Sequence, residues 1–329
     1  MNWTGIKVLV TGAGGFIGSH LSERLVAEGA LVRGFIRYNS RGDVGRLAWL
    51  APEISKQIEI YRGDLRDSDA VLSAVRGMDM IYHLGALIAI PYSYVHPREV
   101  IETNVLGTLN LLSAVRELAI GRIFHTSTSE VYGTARYEPI DETHPLQGQS
   151  PYSASKIGAD KIAESFYNSF DLPVTIIRPF NTFGPRQSAR AVIPTIAVQA
   201  LKGNDVRLGS LTPARDFTFV SDVVEGFVRA ASTDATIGQE INLGTGIKIS
   251  VGELVHTIFR LLGKEPILIT ESERIRPSKS EVMSLRASNQ KALQLMDWHP
   301  RVLFEEGLRI TIEWISNHLD LYPLDRYVL

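Results

Sequence analysis

Tyr152 and Lys156 are the residues whose types and spacing most directly suggest chemistry. They stand four positions apart in the segment YSASK, so on a helix their side chains share one face. An ammonium beside a phenol favours the phenolate and lowers the tyrosine pKa from about 10. We expect Tyr152 to accept a proton from an alcohol while hydride leaves the same carbon. The alternative is that Tyr152 and Lys156 form an exposed pair without function, since such a pair has the same spacing.

A second polar segment, HTSTSEVYG at residues 125–133, follows an apolar run that predicts a strand. Ligands of open α/β sheets bind at the carboxyl ends of the strands, so Thr128, Ser129 and Glu130 should face the same cleft as Tyr152. Thr128 is suited to hydrogen-bond the reacting hydroxyl, and Glu130 supplies a separate acid–base group. The alternative for Glu130 is a loop carboxylate in solvent.

Three glycines, Gly12, Gly15 and Gly18, follow the first apolar run and open a helical pattern. In a strand–turn–helix unit, such glycines allow a tight turn, close backbone approach to a pyrophosphate, and close packing of the helix on the strand. The helix N-terminus then offers free N–H groups to the anion. The pattern predicts a dinucleotide site; three turn glycines without a ligand are the alternative.

The end of the second predicted strand bears on which dinucleotide is bound. No acidic residue stands there; the strand ends at Arg37, with Arg41 nearby. Because an arginine at this point pairs with a 2′-phosphate, we expect NADP, with NAD as the alternative. Asp64, after the third strand, could accept a hydrogen bond from the adenine amine, and the segment after Leu84 would let the cofactor backbone pass closely.

Short apolar runs alternate with helical patterns through the first 180 residues, which predicts a parallel sheet with helices on both faces. Beyond these residues the alternation ends, and glycines and prolines separate short segments. We expect a Rossmann-like doubly wound α/β domain with a smaller mixed α/β C-terminal lobe. The expected Rossmann domain comprises residues 1–182, about 216–245 and 283–298, and the lobe comprises 183–215, 246–282 and 299–329.

Composition bounds the function classes. The chain has 329 residues, 44% of them hydrophobic, a formal net charge of −2 and no cysteine. These values argue against a nucleic-acid binder, a disulfide framework, Cys-ligated zinc or a thiol nucleophile. No two histidines have zinc-site spacing, so no metal is expected. No signal-peptide pattern and no apolar stretch of about 18 residues is visible, so we expect a cytoplasmic protein that does not enter membranes.

Together these motifs resemble the extended short-chain dehydrogenase/reductases, in particular the nucleotide-sugar epimerase/dehydratase group. The resemblance rests on the glycine turn, Asn104, the segment 126–133, the Tyr–Lys pair and RPFNTFGPR at 178–186. It implies NAD(P) contacts at Gly12, Gly15, Phe16, Ile17, Gly18, Arg37, Asp64, Leu65, Leu84, Ala86, Asn104, Tyr152, Lys156 and Phe180. It implies nucleotide-sugar contacts at Asn181, Arg186, Arg190, Val206, Leu208, Arg215 and Arg276, where arginine forks match diphosphate oxygens.

The segment Thr128–Ser129–Glu130 is similar to the Thr-Ser-Glu of GDP-mannose 4,6-dehydratases, whereas 4-epimerases usually lack the acid. Residues 91–94, 147–150 and 187–190 resemble the GDP-N-acetylglucosamine 4,6-dehydratases of legionaminic acid synthesis. UDP-glucuronate decarboxylases also carry Thr-Ser-Glu, but typically have glycine where Ser155 stands. The resemblance therefore implies a dehydratase, with decarboxylase and 4-epimerase as alternatives.

The same resemblance implies a homodimer. Members of the group commonly pack the helix bearing Tyr152 and the helix from about residue 98 against their mates as a four-helix bundle. Ile157, Lys161, Ile162 and Phe166 have the spacing of such a face. The alternative is that these residues are buried within one chain.

Overall fold

The computed structural model describes residues 1–322. Its main element is a sheet of seven parallel strands in the order β10-β6-β5-β4-β1-β2-β3. The strands are β1 (Lys7–Thr11), β2 (Leu31–Arg37), β3 (Glu59–Gly63), β4 (Met80–His83), β5 (Arg122–Thr126), β6 (Val174–Pro179) and β10 (Glu240–Leu243). The chain order reverses between β1 and β4, so the carboxyl ends of these two strands flank the crevice where doubly wound sheets bind ligands.

Helices cover both faces of this sheet, since a parallel sheet buries both of its faces. One apolar cluster includes β1 side chains and extends into the C-terminal half, and a second packs β4 and β5 against helices on the other face. The helices up to β6 are α1 (Phe16–Ala27), α2 (Pro52–Ser55), α3 (Ser68–Val75), α4 (Ile90–Val95), α5 (Pro97–Ile101), α6 (Gly107–Glu117) and α7 (Pro151–Phe170).

The remaining elements form a smaller lobe and close the main sheet. Two small sheets have the orders β11-β9-β7 and β12-β8. The strands are β7 (Asn181–Phe183), β8 (Asp205–Leu208), β9 (Ala214–Phe219), β11 (Lys248–Ser250) and β12 (Ile267–Thr270), and the helices are α8 (Val192–Lys202), α9 (Val220–Ala231), α10 (Val251–Leu261), α11 (Gln290–Met296) and α12 (Phe304–Ser316). The predicted fold class, a doubly wound sheet with a smaller mixed lobe, is confirmed.

Two segments differ from the sequence-based expectation. The helix expected over 98–118 is divided into α5, a π-helical turn at Glu102–Leu106, and α6. Helix α8 was not foreseen, because the glycines and prolines that bracket it suggested an irregular segment. The domain boundaries stay a prediction; β10 does join the main sheet, as that division requires. Residues 323–329 of the expected lobe lie outside the described residues.

Candidate active site

The glycine turn between β1 and α1 brings backbones so close that side chains would not fit. Gly12 has a φ of +71°, and a Cβ there would lie 2.8 Å from the backbone nitrogen of Gly85. A Cβ on Gly18 would lie 2.2 Å from the Gly12 carbonyl oxygen. Helix α1 begins at Phe16 with no side-chain cap and no acidic residue in its first turn. Its N–H groups and dipole therefore fit the diphosphate of a nicotinamide dinucleotide.

The predicted adenosine end of this site carries a group of charges. The Arg37 guanidinium lies 3.3 Å from a Glu99 carboxylate oxygen and 3.9 Å from one of Asp64. Asp64 also forms a 2.7 Å ion pair with Arg66. The hydrogen bond from Arg66 is the largest of the effects that lower the pKa of Asp64, so this carboxylate is ionised. The predicted contact Leu65 is buried beside it.

Asn104 joins the loop after β4 to helix α7. Its amide oxygen accepts from the Leu87 N–H at 2.8 Å, and its amide nitrogen donates to the Leu87 carbonyl and to Ser155 Oγ, each at 2.9 Å. The loop after β4 is thus fixed to α7. Other predicted cofactor residues lie around the same turn or at the ends of neighbouring strands: Gly15 and Ile17 at the start of α1, Leu84 and Ala86 after β4, and Phe180 after β6.

Helix α7 presents Tyr152 and Lys156 on one face, as their spacing predicts. A capping box between Ser150 and Ser153, with Pro151 at the first helical position, fixes the start of the helix. Tyr152 is therefore in the first turn, and the Thr128 side chain acts to lower the pKa of its phenol. Both Tyr152 and Thr128 line a cleft of about 440 Å³ between the sheet and the smaller lobe.

The pKa of Tyr152 differs from the sequence-based expectation. Burial raises this pKa above its ordinary value, and the interaction with the Thr128 side chain only partly offsets it. The Lys156 ammonium donates instead to the Thr126 carbonyl oxygen, at 2.6 Å. Burial lowers the pKa of Lys156 to about 8, with Asp160 acting in the opposite direction. In the described structure, Lys156 therefore does not lower the pKa of the Tyr152 phenol as the sequence led us to expect.

Glu130 faces the same cleft and belongs to a chain of charges that we call the cleft network, comprising Glu130, Arg215, Glu281 and Arg276. Arg215 Nε lies 3.8 Å from Glu130, and Arg215 Nη2 lies 3.4 Å from Glu281. The same Glu281 oxygen is 3.4 Å from Arg276. All four residues line the cleft. The structure thus places two carboxylates and two arginines along the wall of the pocket that holds Tyr152.

Several other predicted substrate residues also line this cleft. Asn181 at the start of β7, Arg190 in the loop before α8, and Leu208 at the end of β8 are among them. They surround one pocket although they are separated in sequence. The structure therefore assembles most of the predicted substrate residues around the phenol of Tyr152.

Three predicted residues lie elsewhere. Arg186 is buried against His20 of α1 and forms a 2.6 Å ion pair with Glu23. Val206 is fully buried in β8, and Ser129 is also buried. None of the three is among the residues that line the cleft.

Arg186 belongs to a loop that is anchored to the cofactor side. His20 Nε2 lies 2.9 Å from the Pro185 carbonyl oxygen, and Arg46 Nε donates to the Arg186 carbonyl oxygen. From the C-terminal side, the Tyr322 hydroxyl donates to the Gln187 carbonyl oxygen at 2.9 Å. Residues 185–187 are therefore held between α1 and the end of the described chain.

Comparison with known proteins identifies the family. Residues 9–311 match the family model described as GDP-mannose 4,6 dehydratase. The chain belongs to this family. It is 34% identical over 319 residues to a UDP-glucose 4-epimerase of Mycolicibacterium smegmatis, covering 95% of this chain and 99% of that one. It is 32% identical over 324 residues to the dTDP-D-glucose 4,6-dehydratase of Mus musculus, covering 95% and 89%.

A solved structure shares the architecture as well. The dTDP-glucose 4,6-dehydratase DesIV of Streptomyces venezuelae, with NAD and TYD bound, superposes with a TM-score of 0.84 at 26% identity, covering 96% of this chain and 99% of that chain. The chain is thus a member of the extended short-chain dehydrogenase/reductases, in the nucleotide-sugar epimerase/dehydratase group. The relatives include both dehydratases and epimerases, so the family alone leaves the reaction open.

Sequence reasoning missed a second set of charges beneath the catalytic helix. This sealed network comprises Asp160, His125, Ser127, Arg178 and Tyr132, all buried. Asp160 accepts hydrogen bonds from Ser127 at 2.7 Å and from Arg178 at 3.0 Å, and its second oxygen lies 3.2 Å from His125 Nε2. Asp160 follows Lys156 by four residues, so helical spacing could have placed it on the same face.

The electrostatics of the sealed network fix its protonation states. Burial would raise the pKa of Asp160, but the hydrogen bond from His125 and the Arg178 charge outweigh burial and lower it to about 2. Burial and the Lys156 charge lower the pKa of His125 to about 4. A neutral His125 therefore donates from Nε2 to an ionised Asp160.

Within residues 1–322, no cluster of three or more His, Cys, Asp or Glu side chains is arranged to hold a metal ion. Over the same residues, no helix combines the length and the apolar character needed to cross a lipid bilayer.

Proposed function

We propose that this chain is a nucleotide-sugar 4,6-dehydratase that forms a 4-keto-6-deoxy sugar nucleotide. The observation that carries the proposal is the position of Glu130, whose carboxylate lines the same cleft as the Tyr152 phenol and the Thr128 hydroxyl. Oxidation at C4 alone requires only the phenol and its partners. Loss of water also requires a group that removes the C5 proton, and Glu130 supplies it.

The residues divide the reaction between them. A bound nicotinamide dinucleotide would accept the hydride from C4 and return it to C6, and the positive charge of its oxidised ring would favour the phenolate of Tyr152. Tyr152 takes the proton of the sugar 4-hydroxyl, while Thr128 hydrogen-bonds the same oxygen. Glu130 removes the C5 proton, which the 4-ketone has made acidic. Ser129 or Glu130 protonates the departing 6-hydroxyl, although the burial of Ser129 favours Glu130.

The substrate diphosphate is assigned to the arginines of the cleft. Arg215 and Arg276 line it side by side, both next to Glu281, and Arg190 and Asn181 lie along the same pocket. Planar guanidinium groups bind phosphate oxygens in pairs. Leu208 supplies an apolar contact suited to the nucleotide base. The contacts of Arg186 and Val206 with the protein interior argue for structural roles at these two positions.

A 4-epimerase is the second candidate, favoured by the M. smegmatis relative that is 34% identical. Incubation with GDP-, dTDP- and UDP-linked hexoses, followed by mass spectrometry of the products, separates the candidates. Loss of one water supports the dehydratase. Unchanged mass with a changed sugar supports the epimerase, and loss of carbon dioxide from a uronate substrate supports a decarboxylase. Either of the last two results contradicts the proposal. A thermal-shift panel of nucleotides then identifies the base.

We also propose that the chain forms a homodimer through α7 and the helical stretch from α5 to α6. The structure revises the predicted face, because Phe166 is buried in the core and Ile162 packs against it. Ile101 and Leu106 are instead exposed, by 45% and 47%, and Lys161 is exposed on α7. Sedimentation of the wild type and of an Ile101→Glu, Leu106→Glu variant tests this assignment. A wild-type monomer, or a variant that remains dimeric, contradicts it.

A further inference from the structure

Arg37 does not stand alone at the end of β2. Its guanidinium is 3.3 Å from Glu99 and 3.9 Å from Asp64. Asp64 is already paired with Arg66 at 2.7 Å. Glu99 on α5 is therefore the closer acidic partner of Arg37, although the two residues are 62 positions apart in the sequence.

Glu99 is itself held in place. The Tyr92 hydroxyl on α4 donates a hydrogen bond to its second carboxylate oxygen. This hydrogen bond, followed by the charge of Arg37, lowers the pKa of Glu99. The helical stretch that bears Glu99 continues to Asn104, which is tied to the loop after β4 and to α7. Glu99 is thus an ionised carboxylate fixed on the framework of the site.

This arrangement affects the choice of dinucleotide. The residue at the end of the second strand of a doubly wound sheet faces the 2′ position of the adenosine ribose. A 2′-phosphate would have to take the guanidinium of Arg37 from Glu99 and would then lie beside an ionised carboxylate, which is unfavourable. A 2′-hydroxyl is neutral and can donate a hydrogen bond to a carboxylate.

We propose that Glu99 is a specificity residue that makes the chain select NAD over NADP, in spite of the arginine at the end of β2. This inference rests on the proposed function, which requires a nicotinamide dinucleotide. It reverses the expectation from Arg37 alone, because a carboxylate from a distant helix neutralises that arginine. The acidic group that the second strand lacks is supplied by α5.

The test is isothermal titration of the dinucleotide-free protein with NAD⁺ and with NADP⁺. The wild type should bind NAD⁺ more tightly. Glu99→Gln should shift the ratio of the two dissociation constants towards NADP⁺ by about tenfold, the effect expected from removing one charge at a partly exposed site. Tyr92→Phe, which frees Glu99 to move, should produce a smaller shift in the same direction.

Glu102→Gln is the matched control. Glu102 follows one turn later, pairs with Arg98 at 3.6 Å, and has the same charge as Glu99. Its loss should leave the ratio unchanged, while thermal melting verifies that each variant is folded. Tighter binding of NADP⁺ by the wild type, or equal ratios in Glu99→Gln and Glu102→Gln, overturns the inference but not the proposed function. Binding of neither dinucleotide by the folded wild type overturns both.

Discussion

The sealed network and the cleft network both pair carboxylates with arginines, but they differ in how tightly these charges are paired. In the sealed network, Asp160 has its partners within 2.7–3.2 Å. In the cleft network, the contacts of Arg215 and Arg276 with the carboxylates are 3.4–3.8 Å long. Hydrogen bonds weaken beyond about 3.2 Å. The sealed charges are therefore committed to each other, whereas the cleft arginines can exchange their partners for a phosphate.

The largest expected effect lies in the cleft network. Glu130→Gln should lower the rate of water loss by about 10²–10⁴-fold, the contribution of a positioned general base. Dinucleotide binding and the free energy of unfolding should remain close to wild type, because the substitution keeps the shape of the side chain. Product formation and calorimetry of dinucleotide binding measure the two effects separately.

Glu164→Gln is the control for this change, since Glu164 is an exposed carboxylate on α7 that pairs with Lys161. It should retain full activity. If Glu130→Gln dehydrates as fast as Glu164→Gln, the assignment of Glu130 as the base is wrong.

In the sealed network, a comparable charge removal should act on stability instead. Asp160→Asn leaves the fully buried Arg178 with Glu240 as its one remaining acidic partner within residues 1–322. Breaking a buried ion pair by removing one partner costs about 3–5 kcal/mol. Urea unfolding should show a loss of this size, and an unchanged midpoint would mean that the sealed network does not stabilise the fold.

Arg215→Met tests whether an arginine of the cleft network contributes to substrate binding and not to stability. Loss of a charged hydrogen-bond donor to a ligand costs about 1.5–3 kcal/mol, so KM for the nucleotide sugar should rise roughly tenfold to a hundredfold. Stability should change little, because the contacts of Arg215 with the carboxylates are long. Arg207→Met, at a half-exposed arginine paired with Glu271, is the control and should leave KM unchanged. Equal KM values in the two variants would remove Arg215 from the substrate site.

The smallest expected effect is a pH dependence. His125 has a folded-state pKa of about 4 against an ordinary value of 6.5, so the unfolded chain binds a proton that the folded chain does not. Stability is therefore lost as pH falls from about 6.5 towards 4, by at most about 1.4 kcal/mol per pH unit for this group. His20 and His83 have lowered pKa values for the same reason, burial.

Urea unfolding of wild type and His125→Gln between pH 7 and pH 5 measures this contribution. The variant keeps an amide donor towards Asp160 but cannot bind the proton. Its stability should fall less steeply with acid, although the other two histidines preserve part of the slope. Parallel curves for the two proteins would refute the linkage.

The sequence predicted those parts of the fold and site that depend on local spacing. The glycine turn, the strand–helix alternation and the shared face of Tyr152 and Lys156 each follow from residues close together in the chain. Glu281 could not be foreseen, because only the tertiary fold brings it between Arg215 and Arg276. The sequence grouped Arg186 with the arginines expected to contact the nucleotide sugar, yet its side chain is buried against α1. Asp160 could have been predicted, because it follows Lys156 by the same four residues that separate Lys156 from Tyr152.

The anchoring of residues 185–187 has a consequence for access to the cleft. His20, Arg46 and Tyr322 hold this stretch from three sides, so the wall it forms cannot swing without disturbing α1. By contrast, the Tyr94 hydroxyl meets Ser280 Oγ at 2.7 Å in a contact between two side chains. Such a contact can break while the sheet stays intact. Opening of the cleft to a bulky ligand should therefore leave residues 185–187 in place.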